Sequence, residues 1–164
     1  MLLLCSPDKF RGDAATNFSI LQRTQVPIID LTPQRAGASP PPSLTSPDLS
    51  RKLTDHCHDA AWLIDALLGT GAQGNPRPPF DTAIECINAR PAKTRALAID
   101  VPSGLDCDTG QPSTHTVRAD NTCTFAAMKF GFEQPAAKPF TGEVQVCDIG
   151  VPPQLIDKVL IQRR

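Results

Sequence analysis

The chain has 164 residues, a formal net charge of -1 and a sequence pI near 6.3, with 40% hydrophobic residues. This length suits one domain with a sizeable core. Lys and Arg are scattered, and the chain has one Trp and no Tyr, so it lacks both the basic patch and the aromatic platform that nucleic-acid binding uses. Its apolar runs are far shorter than the roughly 20 residues that span a bilayer. We therefore expect neither a nucleic acid nor a membrane as partner.

The six cysteines lie far apart, with no C-x-x-C pair and no histidine at a zinc-type spacing. Without an export signal, this usage favours unpaired thiols in a reducing, cytoplasmic setting. The even count leaves disulfides possible in a secreted protein. The cysteines are Cys5, Cys57, Cys86, Cys107, Cys123 and Cys147.

The first part of the chain alternates short apolar runs with one helical pattern and one long loop. A region rich in Pro, Ser and Thr between Pro33 and Pro47 predicts a surface loop rather than a docking motif, because it has no repeated P-x-x-P frame with basic neighbours. The other predicted elements are a strand at Leu2–Cys5, a helix at Asp13–Thr24, a strand at Val26–Ile29 and a helix from Ser46 or Ser50 to Cys57.

Strand and helix patterns continue to alternate in the second part. They predict strands at Ala61–Leu68, Ala96–Ile99, Asn121–Ala126 and Glu143–Asp148, and helices at Asp81–Arg90 and Pro153–Leu160. Such alternation favours a mostly parallel sheet covered by helices, because parallel neighbours require crossover connections. We expect a single α/β domain over residues 1–164.

Two carboxylates follow or end apolar runs of this kind. Asp100 leaves Ala96–Ile99 and enters a Pro-Ser-Gly turn, so it should face the crevice beyond the carboxyl ends of the strands. The alternative is a turn carboxylate that accepts N–H bonds from Ser103 and Gly104. Asp65 lies inside an apolar run and must be paired, hydrogen-bonded or bound to a cation. Asp65 and Ser103 offer the oxygen ligands that hard cations prefer.

The segment Gly69-Thr70-Gly71-x-x-Gly74 fits the dinucleotide pattern G-x-G-x-x-G, but prolines at once delay the following helix. An anion-binding loop and an empty tight turn are both compatible with these glycines. The prolines, and the lack of an acidic residue about 20 positions later, argue against an ordinary NAD-dependent oxidoreductase. Lys129 follows a predicted strand and either reaches the same crevice or is a solvated loop lysine.

Taken together, several motifs in order resemble the YjeF N-terminal family, the NAD(P)H-hydrate epimerases. They are Asp65-Ala66-Leu67-Leu68-Gly69-Thr70-Gly71, Asp100-Val101-Pro102-Ser103-Gly104-Leu105-Asp106, Ala119-Asp120 with Thr124-Phe125, Lys129-x-Gly131, and Gly142-Glu143-Val144 with Asp148-Ile149-Gly150-Val151-Pro152. The resemblance implies a Rossmann-like three-layer α/β/α sandwich. It also implies an isomerase that equilibrates the R and S hydrates of NADH and NADPH, linked to an ATP- or ADP-dependent dehydratase.

The resemblance also assigns residues. Asp65 and Ser103 match potassium ligands, Asp100 matches a substrate-contacting carboxylate, and the family's dimers imply a homodimer. The loop matched to the hydrated nucleotide comprises Gly69, Thr70, Gly71, Ala72, Gln73, Gly74 and Asn75. Our hypothesis gives Asp100 the acid/base role and Lys129 the polarisation of the hydroxyl, since inverting a carbon that bears OH and ring nitrogen requires proton transfer.

One departure from the family is the missing glycine- and asparagine-rich turn upstream of Leu2–Cys5. The family uses that turn for nucleotide and potassium contacts, so we expect an N-terminally incomplete domain. The alternative from another class is a non-catalytic YjeF-type binding or scaffold module. The paired strand-end carboxylates favour the enzyme.

Overall fold

The computed structural model describes residues 1–32, 46–69, 71–72, 74–152, 154–155 and 158. Contacts between Cα atoms divide the chain into two compact units, Met1–Lys52 and Leu53–Arg164. The single domain over residues 1–164 stays a prediction. Most of the predicted Pro-rich loop lies outside the described residues, and its last two residues belong to the helix that follows.

The first unit contains two short parallel strands, β1 (Leu2–Leu3) and β2 (Ile29–Asp30), which pair Leu2 with Ile29 and Leu3 with Asp30. Helix α1 (Asp13–Leu21) lies between them in the chain, after a 3-10 turn at Pro7–Lys9. Both strands are shorter than the apolar runs that predicted them.

Helix α2 (Ser46–Cys57) leads into the second unit, which is built on a four-stranded parallel sheet in the order β3-β4-β5-β6. Its strands are β3 (Trp62–Asp65), β4 (Arg95–Ile99), β5 (Asn121–Phe125) and β6 (Glu143–Cys147), and its other helices are α3 (Phe80–Asn88) and α4 (Lys138–Thr141), with a 3-10 turn at Phe130–Glu133. The α/β class with parallel sheets is confirmed.

Small side chains on β4 bring helix α3 close to the sheet. Ala98 is fully buried and packs in one cluster with Ile84 of α3 and with Val117 and Ala119 from the connection to β5. Three consecutive strands are added in one direction, and right-handed crossovers then place their connections on the same face of the sheet. The parallel direction also brings the carboxyl ends of β3, β4 and β5 to one edge, where Asp65 and Asp100 lie.

Element boundaries differ from the predicted ones where side chains bind the backbone. β3 ends at Asp65, three residues earlier than predicted, because the Asp65 carboxylate accepts the Leu67 N–H and turns the chain away from the sheet. The patterns also missed α4 and both 3-10 turns, which are too short to show a periodicity. The predicted helix at Pro153–Leu160 falls mainly outside the described residues.

A disulfide between Cys123 and Cys147 corrects the prediction of six unpaired thiols. Strand register explains it: Phe125 pairs with Cys147 and Cys123 with Gln145, so the two cysteines are diagonal neighbours on one face, with Cα atoms 6.2 Å apart. That separation is within the range that a disulfide spans. The other four cysteines form no disulfide with another described residue.

None of the helices in the described ranges is both long and apolar enough to cross a bilayer.

Candidate functional site

The carboxylate of Asp65 is buried at the end of β3, with 1% of the residue exposed. Its Oδ2 accepts the Ser103 N–H at 2.8 Å, and its Oδ1 accepts the Ser103 hydroxyl at 2.7 Å and the Leu67 N–H at 3.2 Å. The Ser103 hydroxyl also accepts the Leu68 N–H at 3.0 Å and lies 3.5 Å from the Leu68 carbonyl. The turns after β3 and β4 are therefore joined through one buried aspartate.

The charge of Asp65 has no cationic partner among the described residues, since no ion pair there includes it. Burial raises the pKa of the carboxyl above its ordinary value, while hydrogen bonds from Ser103 and Leu67 act in the opposite direction. A buried carboxylate with three N–H or O–H donors but no counter-charge suits a cation bound by oxygen ligands. Within the described ranges, no group of three or more His, Cys, Asp or Glu side chains could hold a metal ion.

Asp100 begins the turn after β4 and is held from β5 and the loop beyond it. Its Oδ1 accepts three donors: the Lys129 Nζ at 2.9 Å, the Phe125 N–H at 3.1 Å and the Thr124 hydroxyl at 3.2 Å. The Lys129 Nζ also donates to the Phe125 carbonyl at 3.1 Å. The structure thus brings together the two residues that the sequence hypothesis paired, Asp100 and Lys129.

These contacts outweigh burial in setting the charge of Asp100. Burial alone raises its pKa, but the hydrogen bonds from Lys129, Phe125 and Thr124, together with the positive charge of Lys129, hold the pKa below its ordinary value. The carboxylate is therefore ionised at neutral pH. It is prepared to accept a proton rather than to donate one at the start of a reaction.

The backbone at Asp100 adopts a conformation that few residues with a side chain adopt. Its φ is +67°, and its neighbour on the next strand end, Ala126, has φ +64°. Each residue forms the centre of a γ-turn: the Val101 N–H binds the Ile99 carbonyl at 2.9 Å, and the equivalent bond after β5 is 2.7 Å. Strained backbone of this kind collects at functional sites, where the surrounding structure holds it.

The loop after β3 contains the predicted nucleotide-binding residues, of which Thr70 and Gln73 lie outside the described residues. The Asn75 side-chain oxygen accepts the N–H and the hydroxyl of Thr114 at 3.1 and 3.2 Å. The Gly74 carbonyl accepts the Ser113 hydroxyl at 3.4 Å. The far end of the loop is therefore attached to the segment before β5. A cleft is lined by Leu68, Gly69, Ala72, Gly74, Val101, Pro102, Gly104, Leu105, Asp106 and Ser113.

The glycines of the site have two different explanations. At Gly104, φ is +90° and an added Cβ would lie 2.0 Å from the His115 carbonyl oxygen, so the fold itself requires glycine. At Gly69 and Gly71 an added Cβ would meet no described atom within 4 Å, and neither has a positive φ. Packing within the described chain therefore does not account for these two glycines.

The alternative in which Asp100 is satisfied by its own turn is wrong, because the Ser103 N–H binds Asp65 instead. Sequence reasoning assigned no role to Thr124, the Phe125 N–H or Leu68. The family motif containing Thr124 and Phe125 was the available signal, but only strand register places these donors beside Asp100. No described hydrogen bond joins the Asp65 and Asp100 clusters, although both use the turn after β4.

Comparison with known families gives a match over residues 1–131 to the family described as YjeF-related protein N-terminus. The NAD(P)H-hydrate epimerase of Pirellula staleyi is 42% identical over 159 residues, which cover 97% of this chain and 63% of that protein. The bifunctional NAD(P)H-hydrate repair enzyme Nnr of Salinibacter ruber is 35% identical over 162 residues, covering 96% of this chain and 28% of that protein. The chain thus spans less than two thirds of the length of these relatives.

Among solved structures, the crystal structure of yeast ynu0 matches with a TM-score of 0.60 and 17% sequence identity. The match covers 90% of this chain and 54% of the yeast chain. At this identity the likeness supports the α/β fold alone.

Proposed function

This chain belongs to the YjeF N-terminal family, and from that premise we propose that it epimerises the hydrated forms of NADH and NADPH. The reaction would interconvert the R and S configurations at the hydroxyl-bearing C6 of the nicotinamide ring. The observation that carries the proposal is the ion pair between Asp100 and Lys129, 2.9 Å long, at the carboxyl ends of β4 and β5. Ligands of open α/β sheets bind at such strand ends.

The chemistry requires proton transfer but no redox step. The C6–O bond breaks as the ring nitrogen shares its lone pair with C6, and the departing oxygen takes a proton and leaves as water. Water then attacks C6 from the other face, the C–N electron pair returns to nitrogen, and the attacking oxygen loses a proton. Hence the net change is only in configuration.

Asp100 and Lys129 fit the two proton roles. The ionised Asp100 carboxylate can take the proton of the attacking water and return it in the reverse direction. The Lys129 ammonium has three N–H groups, of which Asp100 and the Phe125 carbonyl take two. The third has no partner among the described residues and can polarise the departing hydroxyl.

Potassium is the proposed cofactor, with Asp65 and Ser103 as ligands. The candidate ligand atoms that meet here are all oxygens: those of the Asp65 carboxylate, the Ser103 hydroxyl and the Leu68 carbonyl. This oxygen set fits a hard monovalent cation, and bound potassium would supply the counter-charge that no described residue gives Asp65. We assign the ion a structural role in joining the turns after β3 and β4.

The loop from Gly69 to Asn75 is proposed to hold the hydrated nucleotide. The glycines at 69 and 71 support this role because the described fold does not require them, whereas close approach of backbone N–H groups to a phosphate does. The Asn75 oxygen is bound to Thr114, which leaves its amide N–H groups for a ligand.

We also propose a partner enzyme, an oligomeric state and a location for this chain. The name of the bifunctional Salinibacter relative supports a link to a second step of NAD(P)H-hydrate repair, which we assign to a dehydratase. A homodimer follows from family resemblance, and light scattering tests it. We propose a cytoplasmic location because four of the six cysteines form no disulfide with another described residue, whereas the Cys123–Cys147 bond is typical of an oxidising compartment.

The test starts from one diastereomer of hydrated NADH, purified by chromatography, and follows the appearance of the other. Wild-type protein in potassium buffer should exceed the spontaneous rate, and Asp100→Asn should lose about 100-fold or more of the catalysed rate. Asp108→Asn, an exposed acidic residue of the same connection, is the matched control and should keep it. Equal rates for wild type and Asp100→Asn would contradict the proposal. Binding of the hydrate without turnover would instead indicate the scaffold module.

A further inference from the structure

The two oxygens of the Asp100 carboxylate have different surroundings. All three donors that reach the group bind Oδ1, and none of the hydrogen bonds formed by the described residues ends on Oδ2. An oxygen that already accepts three donors is a poor base, because its lone pairs are directed to those donors. Oδ2 is the oxygen that keeps its lone pairs for a further group.

One of the three donors is the hydroxyl of a buried threonine on β5. Thr124 lies on β5 with none of its surface exposed, and its hydroxyl donates to Asp100. Thr122, two residues earlier on the same face, is equally buried, but its hydroxyl donates to the Thr141 carbonyl at 2.6 Å. The strand therefore carries two buried threonines of the same kind, one bound to backbone and one to the candidate catalytic group.

The backbone holds the Thr124 hydroxyl and Asp100 in register. The Asp100 N–H donates to the Cys123 carbonyl at 2.8 Å, and the Ala126 N–H donates to the Cys147 carbonyl at 3.0 Å. These bonds fix the two left-handed residues against neighbouring strands. Asp100 can then bind both the Thr124 hydroxyl and the Phe125 N–H through a single oxygen.

We propose that Thr124 is a positioning residue for the reaction: its hydroxyl helps to occupy Oδ1 of Asp100, so that Oδ2 is the oxygen that exchanges the proton with substrate. The inference rests on the proposed function for its kinetic consequence, but not for the hydrogen bond itself. Thr124 does not touch the substrate in this scheme and acts through the orientation and charge of Asp100.

Three variants separate positioning from packing. Thr124→Val removes the hydroxyl but keeps the branched shape that suits a buried strand, and Thr124→Ser restores the hydroxyl. Thr122→Val is the matched control, since it removes an equally buried hydroxyl that does not bind Asp100. Thermal unfolding of each variant measures how much stability is lost through altered packing.

The first readout is the pKa of Asp100. It is measured by carbon NMR of protein with labelled aspartate over a series of pH values, and it needs no substrate. Thr124→Val should raise the pKa of Asp100 by removing a donor to its charged form, while Thr124→Ser and Thr122→Val should leave that pKa near the wild-type value. Lys129 is the charged group in contact with Asp100 among the described residues, and Cys107 is the titratable group that interacts with Lys129. Both groups are unchanged in all three variants.

The second readout is kinetic. Thr124→Val should lower kcat about threefold to tenfold with little change in KM, and should move the acid limb of the pH profile upward. Thr124→Ser should recover most of kcat. The inference is overturned if folded Thr124→Val keeps the wild-type pKa of Asp100, or if Thr122→Val shifts that pKa equally. If wild-type protein proves inactive, the proposed function fails, and the NMR titration still decides whether Thr124 sets the state of Asp100.

Discussion

An aspartate stands at the carboxyl end of both β3 and β4, Asp65 as the last residue of its strand and Asp100 directly after its strand, but the two have opposite surroundings. Asp65 is 1% exposed, and burial raises its pKa. It accepts hydrogen bonds from N–H and O–H groups and forms no ion pair with another described residue. Asp100 is partly exposed and bound by the Lys129 ammonium, and its pKa is lowered despite burial. Burial thus favours the neutral form of Asp65, whereas Lys129 and the donors from β5 favour the ionised form of Asp100. The groups that neighbouring strands and turns present to each carboxylate account for the difference.

After the loss expected for Asp100→Asn, removing the cation beside Asp100 should give the largest effect. Lys129→Met should lower kcat/KM for epimerisation about 100-fold, or about 2.7 kcal/mol, because both the N–H donor and the neighbouring positive charge are lost. Lys93→Met is the control, as its ion pair with Asp59 is exposed and 3.8 Å long. A decrease of less than threefold in Lys129→Met would contradict the proposed role.

Matched asparagine substitutions test whether the two carboxylates differ structurally. Asp65→Asn should lower the free energy of unfolding by about 2 kcal/mol, since the new amide must face a Ser103 or Leu67 donor inside the protein. Asp100→Asn keeps an oxygen for Phe125 and Thr124 and should cost less than about 1 kcal/mol. Urea unfolding of both variants measures the difference. Equal losses would mean that burial does not separate the two sites.

Potassium should distinguish the same two residues. At about ten times its Kd the ion should stabilise wild-type protein by about 1.4 kcal/mol, which raises Tm by about 3–5 °C. Asp65→Asn should lose this shift, and Asp100→Asn should keep it. The measurement compares potassium chloride with tetramethylammonium chloride at equal ionic strength. A Tm shift of the same size in Asp65→Asn would mean that the ion binds at another site.

The smallest expected effect is the opposite pH dependence of stability at the two sites. The pKa of Asp65 is raised on folding, so its ionisation should cost stability as pH rises above the unfolded value of about 3.9 towards the folded pKa. The pKa of Asp100 is lowered, so its contribution is present above about 3.9 and is lost as pH falls through the folded pKa. Either slope is at most about 1.4 kcal/mol per pH unit. Unfolding of each Asn variant against wild type from pH 3 to 6, without potassium, checks the signs.

Local patterns were sufficient for much of this protein. Alternation of apolar runs and amphipathic segments predicted the parallel α/β class and the four strands of the main sheet. The position of Asp100 directly after β4 was also correct, because an apolar run followed by Pro-Ser-Gly ends a strand for local reasons. The short elements could not be predicted from periodicity, since a helix of four residues such as Lys138–Thr141 is too short to show one.

Three features required the tertiary structure. Each of them joins residues that are 24 or more positions apart in the chain. They are the disulfide between Cys123 and Cys147, the hydrogen bonds of Ser103 to Asp65 rather than to Asp100, and the hydrogen bond of Thr124 to Asp100. Sequence determined which chemical groups stand at the strand ends, because each local run specifies its own strand and turn. Only the packing of neighbouring strands and turns decided which donors reach each carboxylate. It therefore decided that Asp65 has no cationic partner among the described residues and that Asp100 has a lowered pKa.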